Sequence, residues 1–76
     1  MNNVIHLIMI HRWYDLIDSG HKTIEYRDAT EYYRKRLKNK TKVCFHRGYT
    51  NITMTFHIFR VFETPSQFEI YLGKRA

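Results

Sequence analysis

The sequence predicts an α+β fold, a small β-barrel of about five short strands with two short helices. Three observations carry that reading. The chain has 76 residues, which confines it to one domain over 1–76 and leaves no room for a second nucleotide-binding or catalytic lobe, so Rossmann folds, kinases and α/β-barrel enzymes are excluded. Apolar residues recur with a period of two in several short runs and with a helical period in only two. Twelve Phe, Trp and Tyr side chains supply a core despite a net charge of +6.

The elements follow in order. Val4 to Ile10 is a near-continuous apolar run with β-branched members, which predicts an interior strand covered on both sides. From Arg12 to Ser19 the period changes. Trp13, Leu16 and Ile17 recur at i, i+3 and i+4, and Gly20 stands where a helix needs a left-handed residue to stop. Lys22 to Arg27 alternates again, with Ile24 and Tyr26 on one face and Thr23, Glu25 and Arg27 on the other. Asp28 and Thr30 are candidate N-caps for a basic helix from Glu31 to about Lys38, in which Tyr33 and Leu37 form an i, i+4 pair. Its acid at the start and bases at the end agree with the helix dipole.

Lys42 to His46 reads as a short strand with Val43 and Phe45 inward, and Arg47 to Asn51 as a turn. Ile52, Met54, Phe56 and Ile58 then alternate with Thr53, Thr55 and His57, but Phe59, Arg60 and Val61 reverse the phase. A bulge or bend near Phe59 is the consequence, and bent strands close small barrels. Pro65 ends this strand, and Gln67 to Leu72 forms the last, with Phe68, Ile70 and Leu72 inward.

Cys44 is the only cysteine, so an internal disulfide is excluded and a reducing, cytoplasmic setting is expected. Val4 to Ile10 is broken by His6 and is far shorter than the roughly 20 residues of a membrane span, so no membrane partner is expected. The positive charge is concentrated: no acid lies between Glu31 and Glu63, a stretch holding Arg34, Lys35, Arg36, Lys38, Lys40, Lys42, Arg47 and Arg60. Such a pole attracts polyanions, whereas the plainer alternative is a solvated face that confers solubility. Trp13, Tyr32, Tyr33 and Tyr49 add stacking groups that solubility does not require.

The densest chemistry is Gly20-His21-Lys22-Thr23-Ile24-Glu25-Tyr26-Arg27. Its Gly-x-Lys-x-x-Glu-x-Arg spacing resembles the signature of ASCH domains, small β-barrels of the PUA-like superfamily. The helix Trp13 to Ser19, the segments Tyr32 to Leu37 and Val43 to Tyr49, and the ending Phe68 to Lys74 are similar to segments of the small ASCH proteins of bacteria and their phages. The resemblance implies an RNA- or nucleotide-binding barrel with a basic cleft beside the signature strand. Some relatives are ribonucleases or amidohydrolases acting on acetylated cytidine. The signature lysine falls on Lys22, but Glu25 stands where the amidohydrolases place a threonine nucleophile, and a carboxylate does not replace an alkoxide.

Read from the residues themselves, Arg27 offers a bidentate fork to a phosphate or base edge, Lys22 a point charge, and Glu25 an orienting carboxylate. The structural alternative is an ion-pair set that pins the strand. Strict alternation sets Lys22 opposite Glu25 and Arg27, so one shared site requires a bulge or a Lys22 still in the loop. The expected nucleic-acid contacts are Lys22, Glu25, Arg27, Arg34, Arg36, Lys38, Arg47, Tyr49 and Trp13. His6, His11, His21, His46 and His57 with Cys44 lack zinc-finger or His-x-x-x-His spacing, and no metal or other cofactor is expected.

Binding of RNA or a nucleotide therefore ranks first. A phage-type interaction protein that inhibits a host nucleic-acid enzyme, such as an RNA-guided (CRISPR) nuclease, ranks second. A ribonuclease or nucleotide hydrolase ranks third, with no catalytic residue assigned. Exposed aromatics or an open sheet edge would also permit a homodimer.

Overall fold

A computed structural model describes residues 2–76 and contains five strands and two helices. The elements are β1 (Val4–Met9), α1 (His11–Asp18), β2 (Ile24–Asp28), α2 (Glu31–Leu37), β3 (Lys42–Arg47), β4 (Thr53–Glu63) and β5 (Gln67–Arg75). The strands form one sheet in the order β1-β3-β4-β5-β2, with β1 and β3 parallel and every other neighbour antiparallel. The expected barrel is thus only half made. The sheet curls, but its edge strands β1 and β2 do not pair with each other.

The curl originates in β4. Its first half pairs with β3 and its second half with β5, and the register to β5 shifts between Phe56 and Ile58 and again between Ile58 and Arg60. Irregularities of this kind bend a strand and increase its twist, as the phase reversal near Phe59 predicted. The bend leaves Phe59, Val61 and Phe62 exposed.

On the inner face Ile5, Leu7 and Met9 meet Val43, Phe45, Met54 and Ile70, with Tyr14 and Ile17 of α1 completing the cluster. Phe45 is fully buried and packs edge-on against Phe56 at a centroid distance of 6.1 Å. Tyr33 and Leu37 of α2 cover this core from outside, as their i, i+4 spacing predicted. Thr30, not Asp28, caps α2 by accepting the Tyr33 amide.

Several expectations are corrected. β1 is an edge strand rather than an interior one, and only its odd positions are buried; Ile8 and Ile10 remain exposed. The buried stripe of α1 is Tyr14 and Ile17, while Trp13 turns outward. Packing against β1 and β3 selects the helix face, and a Trp at i−1 from Tyr14 points about 100° away from it. β2 starts at Ile24, so Lys22 lies in the loop before it. Ile52 falls in the turn, and β5 runs on through Gly73 to Arg75. No helix among the described residues is long and apolar enough to cross a membrane.

Truncating Phe45 to Ala should cost about 3–5 kcal/mol, a large fraction of the stability of a domain this size. Urea unfolding checks it: a loss below about 1 kcal/mol would mean that the core is not organised around this ring.

Candidate binding cleft at the sheet seam

The two unpaired edges meet across side chains. Along β1 and the residue before it, the carbonyls of Asn3 and Met9 accept amides from the β3 side, so the even-numbered carbonyls point to the free edge. Two guanidinium groups take them. Arg36 donates to the His6 carbonyl at 2.6 Å, and Arg27 donates to the Ile8 carbonyl at 3.3 Å.

Arg27 is reached through β2. Glu25 pairs with Ile70 and Arg27 with Phe68 across the β2–β5 ladder, and residues opposite one another share a face, so both charged side chains turn inward beside the core. Arg27 Nε donates to Glu25 Oε2 at 2.9 Å, Nη1 to the Tyr33 hydroxyl at 3.1 Å, and Nη2 to Met9 Sδ at 3.2 Å besides Ile8. One guanidinium therefore ties β2, α2 and β1 together. Glu25 is only 6% exposed, and Lys22 Nζ approaches its other oxygen at 3.4 Å.

Lys22 is placed by the end of α1. Gly20, at φ 84°, reverses the chain in the left-handed conformation, and the Lys22 amide then donates to the Leu16 carbonyl. From that loop its ammonium reaches the Ile24 carbonyl and lies 5.0 Å from the Tyr26 ring centre and 5.9 Å from that of Trp13. The result is a cleft of about 680 Å³ between β1 and β2, with Trp13, Lys22, Glu25, Tyr26, Arg27 and Tyr33 among its lining residues. A second cleft of about 510 Å³ shares Ile8, Arg27 and Tyr33 with the first and continues past Tyr32 and Arg36 to His6 and His46.

Of the residues singled out from sequence, Trp13, Lys22, Glu25 and Arg27 gather in the first cleft and Arg36 in the second. The loop position of Lys22 is what permits the shared site. Arg34, Lys38, Arg47 and Tyr49 line neither cleft. Arg34 bridges Glu31 and Glu63, and Arg47 grips both oxygens of Asp15 at 2.9 and 3.0 Å. Lys38 is exposed just past α2, and Tyr49 is 94% exposed at a turn tip. Spacing along the chain did not foretell Tyr26 or the apolar wall of Ile8 and Ile10, because only the seam brings β1 beside β2.

These ion pairs set local proton affinities. The hydrogen bond from Arg47 holds the Asp15 carboxyl below its usual range, and that from Arg34 does the same for Glu63. The same bonds raise Arg47 and Arg34. Burial, then the Glu69 carboxylate that accepts its O–H, pushes Tyr71 up, and burial raises Tyr14. No protein-family model matches the chain, and comparison with curated proteins and with solved structures also finds no match.

Replacing Arg27 by Ala should destabilise the fold by about 2–4 kcal/mol, because Glu25 loses a buried partner while Lys22 still faces it. Arg27→Lys should recover only a minor part, since an ammonium cannot span Glu25, Tyr33 and Ile8 at once. Equal stability of wild type and Arg27→Ala in urea would refute the seam role.

Asp15 and Glu63 have depressed folded-state affinities for protons, so their stabilisation is present above the ordinary carboxylate pKa of about 4 and is lost as pH falls through the lower folded values. Melting temperature should accordingly drop more steeply below about pH 4 in wild type than in an Asp15→Asn, Glu63→Gln double variant. Identical acid limbs would show that these pairs contribute nothing.

Proposed function

We propose that the chain is an ASCH-like module that binds RNA or a nucleotide in the seam cleft. One observation carries the reading: an ammonium flanked by two exposed aromatic rings, Trp13 and Tyr26, stands beside a buried Glu25 paired with the half-buried Arg27 in a cleft of about 680 Å³. Ligand sites of roughly 300–1,000 Å³ enclose small molecules of nucleotide size. The four sequence segments that resemble ASCH domains support the same reading.

In this reading a base stacks on Trp13 or Tyr26, which is sequence-tolerant because every base has a π-face. Lys22 then meets a phosphate, and Glu25 accepts from an amino group on the base edge. Arg27 already directs N–H groups to Glu25, Tyr33, Ile8 and Met9, so its part is to hold Glu25 in place. Arg36 and Tyr32 extend the path for a neighbouring nucleotide. Arg34 and Arg47 are engaged by carboxylates that offset their charge; Lys38 acts through the long-range positive field, and the uncharged Tyr49, at its turn tip, stands apart from the cleft.

A second reading, docking onto a nucleic-acid-handling protein, is favoured by the exposed Phe59, Val61 and Phe62 on the bent end of β4. Exposed apolar side chains in number at one place are a feature of protein contact sites.

Labelled single-stranded RNA and mononucleotides, titrated by fluorescence anisotropy, test the first reading. Affinity should fall as salt rises, and Trp13→Ala or Lys22→Ala should weaken it by about fivefold to a hundredfold. Binding indifferent both to salt and to these substitutions would overturn the cleft. Retention of a protein partner lost only in Phe59→Ser, Phe62→Ser would favour the second reading.

A further inference from the structure

We propose that His6, Cys44 and His46 form a zinc site with three protein ligands and an open fourth position. The three side chains lie on the outer face of the sheet, away from the core. Parallel pairing sets His6 directly opposite Cys44, and the two-residue period of β3 brings His46 to the same face. One ligand atom from each lies within 4.8 Å of the other two. His6 Nδ1 is 2.9 Å from His46 Nε2, which in turn is 3.7 Å from Cys44 Sγ.

Those separations suit a tetrahedral ion. Zinc at its ordinary ligand distances sets sulfur and nitrogen about 3.6 Å apart and two nitrogens about 3.4 Å apart. The Cys44–His46 edge already has that length; around a bound ion the histidine pair opens by about half an ångström, and the His6–Cys44 edge, within 4.8 Å, closes to about 3.6 Å. His6 is free to do so, because it is exposed on an edge strand. Without an ion the two ring nitrogens satisfy each other by sharing one proton. With zinc both turn their lone pairs to the metal, and Cys44 binds as the thiolate.

Two imidazoles and a thiolate form the N/S set that zinc prefers, and three ligands leave a position for an outside group. His6 and His46 line the second cleft beside Arg27 and Arg36. The cationic surroundings favour an anion as fourth ligand, whether hydroxide or a phosphate oxygen.

Untagged protein, stripped with chelator and held under reductant, is titrated with zinc by calorimetry and with cobalt by absorption, in the absence of RNA. One ion should bind per chain, cobalt should show the bands of a tetrahedral thiolate complex, and zinc should raise the melting temperature. His6→Gln, on the exposed edge, should keep its circular dichroism and lose at least about tenfold in zinc affinity, as should Cys44→Ser if it folds. His57→Gln, on the same face outside the trio, should bind zinc as wild type does. Absence of a one-to-one complex, a cobalt spectrum without thiolate character, or unchanged affinity in His6→Gln would each overturn the site. The outcome is independent of whether the seam cleft binds RNA.

Discussion

The bond between Arg27 and Glu25 decides how this sheet ends. A curled five-stranded sheet with unpaired edges leaves a row of backbone carbonyls seeking donors, and a strand of another chain is the usual hazard. Here guanidinium groups serve in place of a sixth strand. Arg27 reaches from β2 to the Ile8 carbonyl, and Arg36 reaches from α2 to that of His6. Glu25 fixes the first of these arms, and Lys22 shares its charge. Removing one member leaves a buried carboxylate or an open edge, which is why a polar cluster occupies a place where apolar packing would otherwise stand.

The same closure creates the cleft. A seam held by side chains is not flush like a ladder of backbone hydrogen bonds, so space remains between β1 and β2. Beside Met9 and Tyr33, which belong to the core and its cover, its walls include residues that the core had no use for. Trp13 is the outward neighbour of buried Tyr14, and Tyr26 is the outward neighbour of buried Glu25. Structure and binding capacity thus share residues: the groups that line the seam also keep it shut.

Local signals in the sequence had reached much of this. Gly20 marked the end of α1, Thr30 with Glu31 marked the start of α2, and the phase reversal at Phe59 located the bend in β4. Each depends on the backbone within a few residues. Edge or interior status does not, and neither does coverage of a face: the apolar run of β1 reads as a strand covered on both sides, yet it is an edge strand and its even positions face outward because only one face of the sheet is covered there. Likewise, eight basic residues in the middle of the chain suggested one cationic surface, but partners from distant elements divide them. Asp15 of α1 takes Arg47 and Glu63 of β4 takes Arg34, leaving Arg36 beside the clefts.

Composition and periodicity by themselves determined the α+β class of this chain, its order of strands and helices, and the cluster of charge that follows Gly20. Only the tertiary structure decided that the barrel stays open, that Lys22 and Glu25 meet on one side, and that His6 stands beside Cys44 and His46. The physical reason is range. Helix stops, caps and alternation are set by sterics and hydrogen bonds between near neighbours, whereas the pairing of β1 with β3 joins residues almost forty positions apart, and no pattern inside either strand specifies its partner.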